Sequence, residues 1–412
     1  MAELLSRWMT DRVVKALQVR RVVSLAGVRQ CGKTTLVRHL LGGGTTFRSL
    51  DDPLLLRSAL EDPAGFLKTG ASTLVVDELQ KAPDLLPLIK MAVDESSRCG
   101  QFLLTGSANI AALPQIAESL AGRLATLRLR TLTIGEIMGR PPRFLQNVFN
   151  GRVPDRPAEA DREAILRLAF RGGYPEALAL DESDRREWLQ DYLAAILARD
   201  LADLANIRRR DALRQLVEVL AAWSAKELNF AEMGSTIGIA RQTLDSYVGA
   251  LEMLYLFEQV PCWIATDYAR VGRRPKWYCA DSGLMSAVLR WRFDEVVQNP
   301  DRAGKLLETF VFHELAAQAD LDRCGVFHYR DRNQHEVDFV VESERGDLLG
   351  IEVKTGSLVR KDDFKGLFWF REHIAKTRRF TGIVLYTGRQ TVPFGDGMKA
   401  VPVSALWESE RG

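Results

Sequence analysis

The sequence predicts an α/β protein with a parallel β-sheet near its N-terminus and further helices and strands after it. Up to about residue 136, short apolar runs alternate with helical stretches, a pattern typical of parallel sheets whose faces are covered by helices. Residues 158–220 are helical in pattern almost throughout, and helices mix with strands again after residue 265. A chain of 412 residues is long enough for roughly two to four domains, each with its own core.

Each predicted element follows from a local pattern. An amphipathic helix is predicted at residues 4–17, where apolar residues recur three and four positions apart. Residues 140–157 are rich in Pro, Gly and Arg and predict a connecting segment. The predicted strands are residues 22–26, 47–50, 73–76, 102–105 and 125–129 in the N-terminal part, and 337–342, 349–353 and 381–386 in the C-terminal part.

The composition excludes several classes of protein. Lys and Arg number 56 against 54 Asp and Glu, so any binding to nucleic acid must come from local patches. The five cysteines lie far apart, which argues against a disulfide scaffold or a Cys-ligated zinc site and fits a reducing cytosol. No signal-peptide pattern and no apolar run of about 18 residues is found. We therefore expect a cytoplasmic protein with no membrane partner.

Residues 27–34 read GVRQCGKT and match the phosphate-loop pattern G-x-x-x-x-G-K-[ST]. A strand is predicted before this loop and a helix after it, as the motif requires. Gly27 and Gly32 allow the backbone to wrap an anion, and Lys33 would contact the β- and γ-phosphates of ATP. The Thr34 hydroxyl would ligate Mg²⁺. The predicted nucleotide-binding residues of the loop are Gly27, Arg29, Gln30, Gly32, Lys33, Thr34 and Thr35.

Polar residues follow two other predicted strands of the same sheet. Asp77 would hold Mg²⁺ through water, and Glu78 would polarise the water that attacks ATP. Thr105, Ser107 or Asn109 is expected to sense the γ-phosphate or that water. An ordinary turn after the strand is the alternative for these last three residues.

Hydrolysis of ATP also needs positive charge near the γ-phosphate, which an arginine of a neighbouring subunit often supplies. Arg123 is the candidate, with Arg128 and Arg130 behind it. A surface arginine without this role is the alternative. A role across subunits implies a homo-oligomer, such as a hexameric ring.

Together these motifs resemble the prokaryotic AAA+ ATPases that carry a C-terminal DUF4143 region. The motifs are GVRQCGKTT from Gly27, LDDP from Leu50, DELQKAP from Asp77, TGS from Thr105 and LAGR from Leu120. Further matches are GGYP from Gly172, RDL from Arg199, KWY from Lys276 and DSGL from Asp281. The resemblance implies an AAA+ core at residues 1–139, a helical lid at 140–205, a winged-helix domain at 206–264 and a nuclease-like domain at 265–412.

Residues 228–247 predict a helix, a glycine turn and a second helix, the helix-turn-helix arrangement. Residues 240–254 would form its recognition helix, which could contact DNA. A domain used for packing or subunit contact is the alternative, since the basic excess here is small. The residues predicted to face inward are Leu244, Val248, Leu251 and Leu254, and those predicted to face outward are Arg241, Gln242, Ser246 and Tyr247.

Residues 335–354 predict a β-hairpin that brings Asp338 near Glu352 and Lys354. Asp followed by Glu-x-Lys on two adjacent strands looks like the PD-(D/E)xK nuclease core. In that core Asp338 and Glu352 would chelate Mg²⁺ or Mn²⁺, and Lys354 would orient or deprotonate a water. Glu308, on a preceding helix, matches the carboxylate that supports the metal, and Glu314 is the less favoured substitute. Repulsion among the converging carboxylates should raise the pKa of at least one.

Residues 354–379 hold eight basic residues against three acidic ones, which favours contact with a DNA backbone. Two functions therefore stay open. The first is an ATPase coupled to a Mg²⁺-dependent nuclease that acts on DNA. The second is an ATP-switched DNA-binding or regulatory protein with a silent nuclease fold, and either could belong to a defence or toxin system.

Overall fold

A computed structural model describes residues 5–40, 44–107, 120, 122–155, 157–204, 209–265, 273–395 and 397–408, with the backbone alone at 199–204 and 210. The chain divides into two compact units. The first comprises Met1–Thr131 with Glu252–Tyr255, and the second comprises Leu132–Leu251 with Leu256–Gly412.

The first unit is built on a parallel β-sheet, as the alternating pattern predicted. Its strands run in the order β2-β3-β4-β1-β5. The central strands β1 and β4 are buried along their whole length because both faces of the sheet are covered, whereas the edge strand β2 is half-buried. The strands are β1 Val22–Ala26, β2 Thr45–Ser49, β3 Thr73–Asp77, β4 Phe102–Gly106 and β5 Leu124–Arg128.

Helices connect these strands, and local signals set where they begin. The helix at Pro53 begins with Asp52, whose carboxylate accepts a hydrogen bond from Leu54 N at 2.8 Å, followed by proline at the first helical position. The N-terminal helix begins later than predicted, at Thr10. The described helices are α1 Thr10–Val19, α2 Lys33–Leu40, α3 Pro53–Glu61, α4 Pro63–Leu67 and α5 Leu85–Glu95.

The second unit opens with helices and a small antiparallel sheet in the order β6-β8-β7. The strands of this sheet are β6 Lys226–Glu227, β7 Phe257–Val260 and β8 Lys276–Cys279. The helices of this part are α6 Ile134–Ile137, α7 Phe144–Phe149, α8 Arg162–Arg171, α9 Glu182–Leu204, α10 Arg210–Ala222, α11 Phe230–Ile237, α12 Arg241–Met253, α13 Ser282–Val288 and α14 Phe293–Gln298.

Helix α12 corresponds to the predicted recognition helix. The four residues predicted to face inward are buried, and Arg241, Gln242 and Ser246 are exposed as predicted. The prediction for Tyr247 was wrong, because this side chain is buried and its hydroxyl accepts a hydrogen bond from Arg209 N at 3.4 Å. Residue 247 lies three positions after Leu244 and therefore shares the inner face of the helix.

The C-terminal part packs the long helix α15 Pro300–Asp322 and the short helix α16 Lys365–Phe370 with a mixed sheet. Its strand order is β13-β14-β12-β11-β10-β9. The predicted hairpin is confirmed: β10 and β11 pair antiparallel, with Phe339 opposite Ile351, so Asp338 and Glu352 lie side by side. The strands are β9 Gly325–Arg330, β10 Glu336–Glu342, β11 Leu348–Lys354, β12 Phe380–Tyr386, β13 Val392–Pro393 and β14 Met398–Pro402.

The expectations for disulfide bonds and for membrane-spanning segments can be compared with the fold. The five cysteines are all free thiols, as their spacing predicted. Across the described ranges, every helix is too short or too polar to cross a membrane.

Glu314 is a buried carboxylate with a structural role inside the second unit. One oxygen accepts a hydrogen bond from Ile134 N at 2.8 Å, which satisfies a backbone donor at the start of α6, and the other oxygen has no partner among the described residues. Burial raises the pKa of Glu314 to about 8. This residue therefore belongs to the packing of α15 and not to the cluster that contains Glu308.

Glu314→Gln should change how stability depends on pH. The folded protein binds a proton at Glu314 that the unfolded chain loses above the ordinary pKa of 4.5. The free energy of unfolding therefore falls as pH rises from about 4.5 to about 8. Glutamine cannot ionise and keeps an acceptor for Ile134 N, so we expect the variant to be more stable than wild type at about pH 8.5, by roughly 1–3 kcal/mol.

Thermal unfolding measured between about pH 5 and pH 9 checks this. Glu163→Gln, a change at an exposed glutamate of α8, is the control and should follow the wild-type profile. Parallel profiles for wild type and Glu314→Gln would contradict the assignment.

Candidate functional site

The phosphate loop lies between β1 and α2 and is shaped by its two glycines. A Cβ on Gly27 would stand 2.1 Å from the Leu129 carbonyl oxygen, so only glycine fits there. Gly32 has φ +98° and Gln30 has φ +61°, so both lie in the left-handed region. The Lys33 ammonium is buried and donates to the carbonyl oxygens of Gly27 and Val28 at 2.8 and 2.9 Å.

Other predicted residues of the loop line its outer side. Arg29 is half-buried, whereas Gln30 and Thr35 are exposed. The backbone N–H groups at the start of α2 have no intrahelical acceptor, and this makes the loop suited to an anion. The loop therefore has the chemistry that a polyphosphate requires.

Asp77 is the centre of a hydrogen-bond network at the carboxyl end of the parallel sheet. It is 2% exposed and accepts hydrogen bonds from three hydroxyl groups on three different elements. Thr34 Oγ1 lies 3.2 Å from its Oδ1, Ser49 Oγ lies 3.0 Å from its Oδ2, and Thr105 Oγ1 also donates to Oδ1. Thr105, predicted as a sensor, thus contacts the carboxylate predicted to hold the metal.

Ser49 was not identified from the sequence. It ends β2, and its pairing register sets it directly beside Asp77 at the end of β3. A polar residue at the end of a neighbouring parallel strand was the available signal. Oxygen donors from Thr34 and Asp77 fit the ligand preference of Mg²⁺.

Glu78 follows Asp77 in the left-handed conformation, with φ 58° and ψ 45°. A non-glycine residue in this region costs free energy, and such strain is common at functional sites. Gln80, which the sequence analysis did not single out, donates from its amide nitrogen to the Glu78 carboxylate and to Ser107 Oγ, the latter at 3.1 Å. Ser107 is thereby connected to Glu78, and Asn109 lies outside the described residues.

Arg123 comes directly before β5, near the amino ends of the parallel strands, whereas the phosphate loop follows the carboxyl end of β1. Its carbonyl oxygen accepts from Val22 N, at the start of β1, and its guanidinium pairs with Asp94. The five residues of β1 separate it from the loop, about 16 Å at ~3.3 Å per residue. Arg123 therefore cannot serve the loop of its own chain. Arg128 ends β5 on the loop side, and Arg130 is buried behind it.

The second group of predicted residues converges in the C-terminal part, around a lysine that the sequence analysis did not assign to the site. Lys276 begins β8, and its side chain is 3% exposed. Its Nζ lies 3.1 Å from Glu308 Oε1, 2.8 Å from Glu336 Oε1 and 3.3 Å from Asp338 Oδ1. Tyr278, two residues on, donates its hydroxyl to Glu308 Oε1 at 2.8 Å. These residues are called the Lys276 cluster below.

The neighbouring carboxylate oxygens also have protein donors. Val353 N donates to Asp338 Oδ2 at 2.9 Å, and Lys354 Nζ donates to Glu352 Oε2 at 3.0 Å. Burial raises the pKa of Glu308 to about 7, against the effect of Lys276. Burial and then Asp338 raise the pKa of Glu352 to about 8. Raised pKa values were predicted from repulsion, but loss of solvent is the larger cause.

Lys276 keeps its charge in this environment. Burial acts to lower its pKa, but Glu308 and the other acidic neighbours raise it well above the ordinary value. The cluster therefore contains a permanent ammonium group that donates hydrogen bonds to Glu308 and Asp338 and forms an ion pair with Glu336.

The arrangement does not fit a divalent metal at Glu308, Asp338 and Glu352. Within the described ranges, no three or more His, Cys, Asp and Glu side chains are grouped as a metal site. An ammonium lies between Glu308 and Asp338, and Lys354 takes an oxygen of Glu352. The structure thus brings the predicted nuclease residues together with two lysines that offset part of their charge.

A polar cavity of about 720 Å³ opens above the Lys276 cluster. Its lining includes Arg273, Arg274 and Lys226, which are exposed, and Arg330, which is half-buried, and it also includes the acidic side chains of Glu227 and Asp331. The predicted basic segment at residues 354–379 is less positive than its composition suggests. Four of its cations pair with acids, in Lys354–Glu352, Lys365–Asp362, Arg371–Glu372 and Arg378–Glu342.

Comparisons with known protein families divide the chain into three matched regions. Residues 19–138 match an AAA domain, residues 162–295 match the domain of unknown function DUF8612, and residues 303–406 match the domain of unknown function DUF4143. The Asp77 network lies in the first region. Glu308, Glu336 and Asp338 lie in the third, and Lys276 lies in the second.

Relatives align over most of the chain. Uncharacterized proteins of Mycobacterium tuberculosis and Mycobacterium bovis are each 28% identical over 400 residues, which is 96% of this chain and 83% of the relative. An uncharacterized protein of Methanocaldococcus jannaschii is 22% identical over 354 residues, 80% of this chain and 74% of the relative.

Among solved structures, the RuvB Holliday junction branch migration motor of Thermotoga maritima is 17% identical. The alignment covers 62% of this chain and 90% of that chain, with a TM-score of 0.30. AMPPCP-bound DnaA from Aquifex aeolicus is 13% identical over 59% of this chain and 86% of that chain, with a TM-score of 0.29. These scores are too low to define a common fold.

Proposed function

The chain carries an AAA domain at residues 19–138 and a DUF4143 domain at 303–406, and from this premise we propose that it is an ATP-hydrolysing switch whose C-terminal part binds DNA. The AAA match supports ATP binding and hydrolysis. The observation that carries the proposal is the network around Asp77, which joins the phosphate loop to two neighbouring strands beside Glu78.

Each residue of this network has a separate task. The loop backbone and Lys33 bind the phosphates, and the lysine exchanges its bonds to the Gly27 and Val28 carbonyls for bonds to ATP. Thr34 and Asp77 would hold Mg²⁺, which when bound offsets negative charge on the β- and γ-phosphates. Glu78 accepts a hydrogen bond from the attacking water and raises its nucleophilicity.

In this proposal, the hydrogen bonds of Gln80 and Ser107 connect the hydrolysis of ATP to a conformational switch. Gln80 bonds both Glu78 and Ser107, so release of Glu78 towards the water leaves the Gln80 amide to Ser107 alone. Ser107 directly follows β4. We propose that this exchange reports the hydrolytic state of the nucleotide to Ser107.

The place of Arg123 supports our proposal of a homo-oligomeric ring. The distance from its own loop leaves the phosphate loop of an adjacent subunit as its target, where its charge would oppose that of the γ-phosphate. In this proposal Asp94 orients the Arg123 side chain within its own subunit.

Two actions on DNA are open for the C-terminal part: cutting and binding without cutting. Asp338, Glu352 and Lys354 on adjacent strands favour a Mg²⁺-dependent nuclease in residue type. The Lys276 ammonium between Glu308 and Asp338 favours binding alone, because a divalent ion has no free place in the cluster. We therefore propose that the domain binds the DNA backbone and does not cut it.

The ATPase proposal is tested by Lys33→Ala and Glu78→Gln. Lys33→Ala should weaken ATP binding at least tenfold, since a charged contact to the phosphates is lost, at about 1.4 kcal/mol per tenfold. Glu78→Gln should keep ATP binding and lower turnover about 100-fold or more, because an amide is a poor base. Release of phosphate measures turnover, and binding of a fluorescent ATP analogue measures affinity.

The control is Glu61→Gln, a change at an exposed glutamate of α3. Unchanged turnover in Glu78→Gln would remove the catalytic role of Glu78.

The role of Arg123 is tested by mixing two inactive variants. Arg123→Ala with Glu78→Gln should regain part of the ATPase rate, because some interfaces then pair an intact arginine with an intact Glu78. Asp94→Asn alone should keep most of the ATPase activity. A loss of ATPase activity equal to that of Arg123→Ala would indicate that the Arg123–Asp94 ion pair acts by stabilising the subunit. No recovery under conditions where light scattering detects mixed oligomers would count against action across subunits.

The choice between cutting and binding is tested on supercoiled plasmid and branched DNA with Mg²⁺, Mn²⁺ or EDTA, with and without ATP. We expect no metal-dependent nicking, and a retained shift of the DNA on native gels in EDTA. Nicking that needs Mg²⁺ and disappears in both Asp338→Asn and Glu352→Gln would establish the nuclease instead. Absence of any gel shift would remove DNA as the partner.

A further inference from the structure

The Lys276 cluster joins three elements of the second unit through one side chain. Glu308 comes from α15, Glu336 and Asp338 are alternate residues of β10 and share a face, and Lys276 begins β8. The lysine is fixed by its backbone, because β8 lies in the middle of its sheet, with Lys276 paired to Glu227 on one side and to Val260 on the other. Its side chain is 3% exposed and thus held inside the cluster.

The ammonium has the coordination expected of a structural cation. Its nitrogen lies 2.8 to 3.3 Å from oxygens of three carboxylates, and it donates hydrogen bonds to Glu308 Oε1 and Asp338 Oδ1. Asp338 Oδ2 accepts a further hydrogen bond from Val353 N, and Glu308 Oε1 accepts from the Tyr278 hydroxyl as well as from Lys276. A divalent ion would have to displace the lysine or lie beside it and be repelled.

The cavity above the cluster balances its charge without a metal ion. Its lining carries five acidic side chains, Glu227, Glu308, Asp331, Glu336 and Asp338, and five basic ones, Lys226, Arg273, Arg274, Lys276 and Arg330. Arg273 and Arg274 are exposed, so a phosphate group arriving from solvent can meet their charge. A site that held bare carboxylates would need a metal ion before it could accept a phosphate.

We propose that Lys276 is the resident cation of the DUF4143 carboxylate cluster: it excludes divalent metal and lets the cavity take a phosphodiester backbone without one. The exclusion of metal stands independently of the proposed function, whereas the phosphodiester ligand rests on the proposed binding of DNA.

Metal exclusion is tested by Mn²⁺ titration of the full chain, read by electron paramagnetic resonance without nucleotide. A Thr34→Ala change is present throughout, so that the phosphate loop does not contribute. With Lys276 intact we expect no Mn²⁺ site at micromolar concentrations. Lys276→Met should gain one site per chain, and Lys276→Met combined with Asp338→Asn should lose it. Lys365→Met, at a lysine 76% exposed and paired with Asp362, is the control.

Metal binding with Lys276 intact that disappears in Glu308→Gln or Asp338→Asn would overturn the proposal. This outcome does not depend on the folding of Lys276→Met. If that variant does not fold, Lys276→Arg, which keeps the charge, should fold and bind no Mn²⁺.

The second readout is the anisotropy of a fluorescein-labelled DNA duplex. Without Thr34→Ala, the wild-type protein should bind equally in EDTA and in Mn²⁺. Lys276→Met should bind about tenfold more weakly in EDTA and recover in Mn²⁺, because the metal then supplies the missing charge. Binding by wild type that requires Mn²⁺ would overturn the ligand claim. If wild type binds no DNA under either condition, the proposed function fails, and the Mn²⁺ titration still decides the role of Lys276.

Discussion

Buried carboxylates must find donors, and this requirement organises both candidate sites. Asp77 is carried to the interior by the end of β3 and is satisfied by hydroxyl groups of Thr34, Ser49 and Thr105. Hydroxyl groups satisfy a carboxylate without cancelling its charge, so Asp77 keeps its attraction for a cation brought by the nucleotide. The position of the phosphate loop on β1 follows from the same parallel sheet, whose strands end at one edge.

In the C-terminal part the same requirement is met by charged groups. Lys276 and Lys354 donate to carboxylates that several elements bring together, and burial shifts the pKa values of Glu308 and Glu352 upward. The two sites therefore differ in kind. In our proposal, the Asp77 site keeps its negative charge for a metal ion that arrives with the nucleotide, whereas the Lys276 cluster has its positive charge built into the chain.

Most of the fold and the phosphate loop could be predicted because their signals are local. Strand runs, glycines and the GKT sequence act within about ten residues of one another. Ser49 and Lys276 were missed because their partners come from other segments, which the fold and not the spacing brings together. For Gln80, the contact with Ser107 likewise comes from a distant segment. Tyr247 was assigned outward as a possible contact to DNA, whereas helical periodicity puts it inside beside Leu244. The residue types of the nuclease-like motif could be recognised in the sequence, but the position of Lys276 between the carboxylates of Glu308 and Asp338 could not be predicted from it.

The central claim is that the chain takes one divalent ion, with its nucleotide, and none in the DUF4143 domain. Its most direct test is the number of Mn²⁺ ions bound per chain at saturating concentrations of a non-hydrolysable ATP analogue, determined by equilibrium dialysis. The account predicts one ion per chain, lost in Lys33→Ala together with the nucleotide. Two ions per chain, of which one remains in Lys33→Ala and disappears in Asp338→Asn, would contradict it.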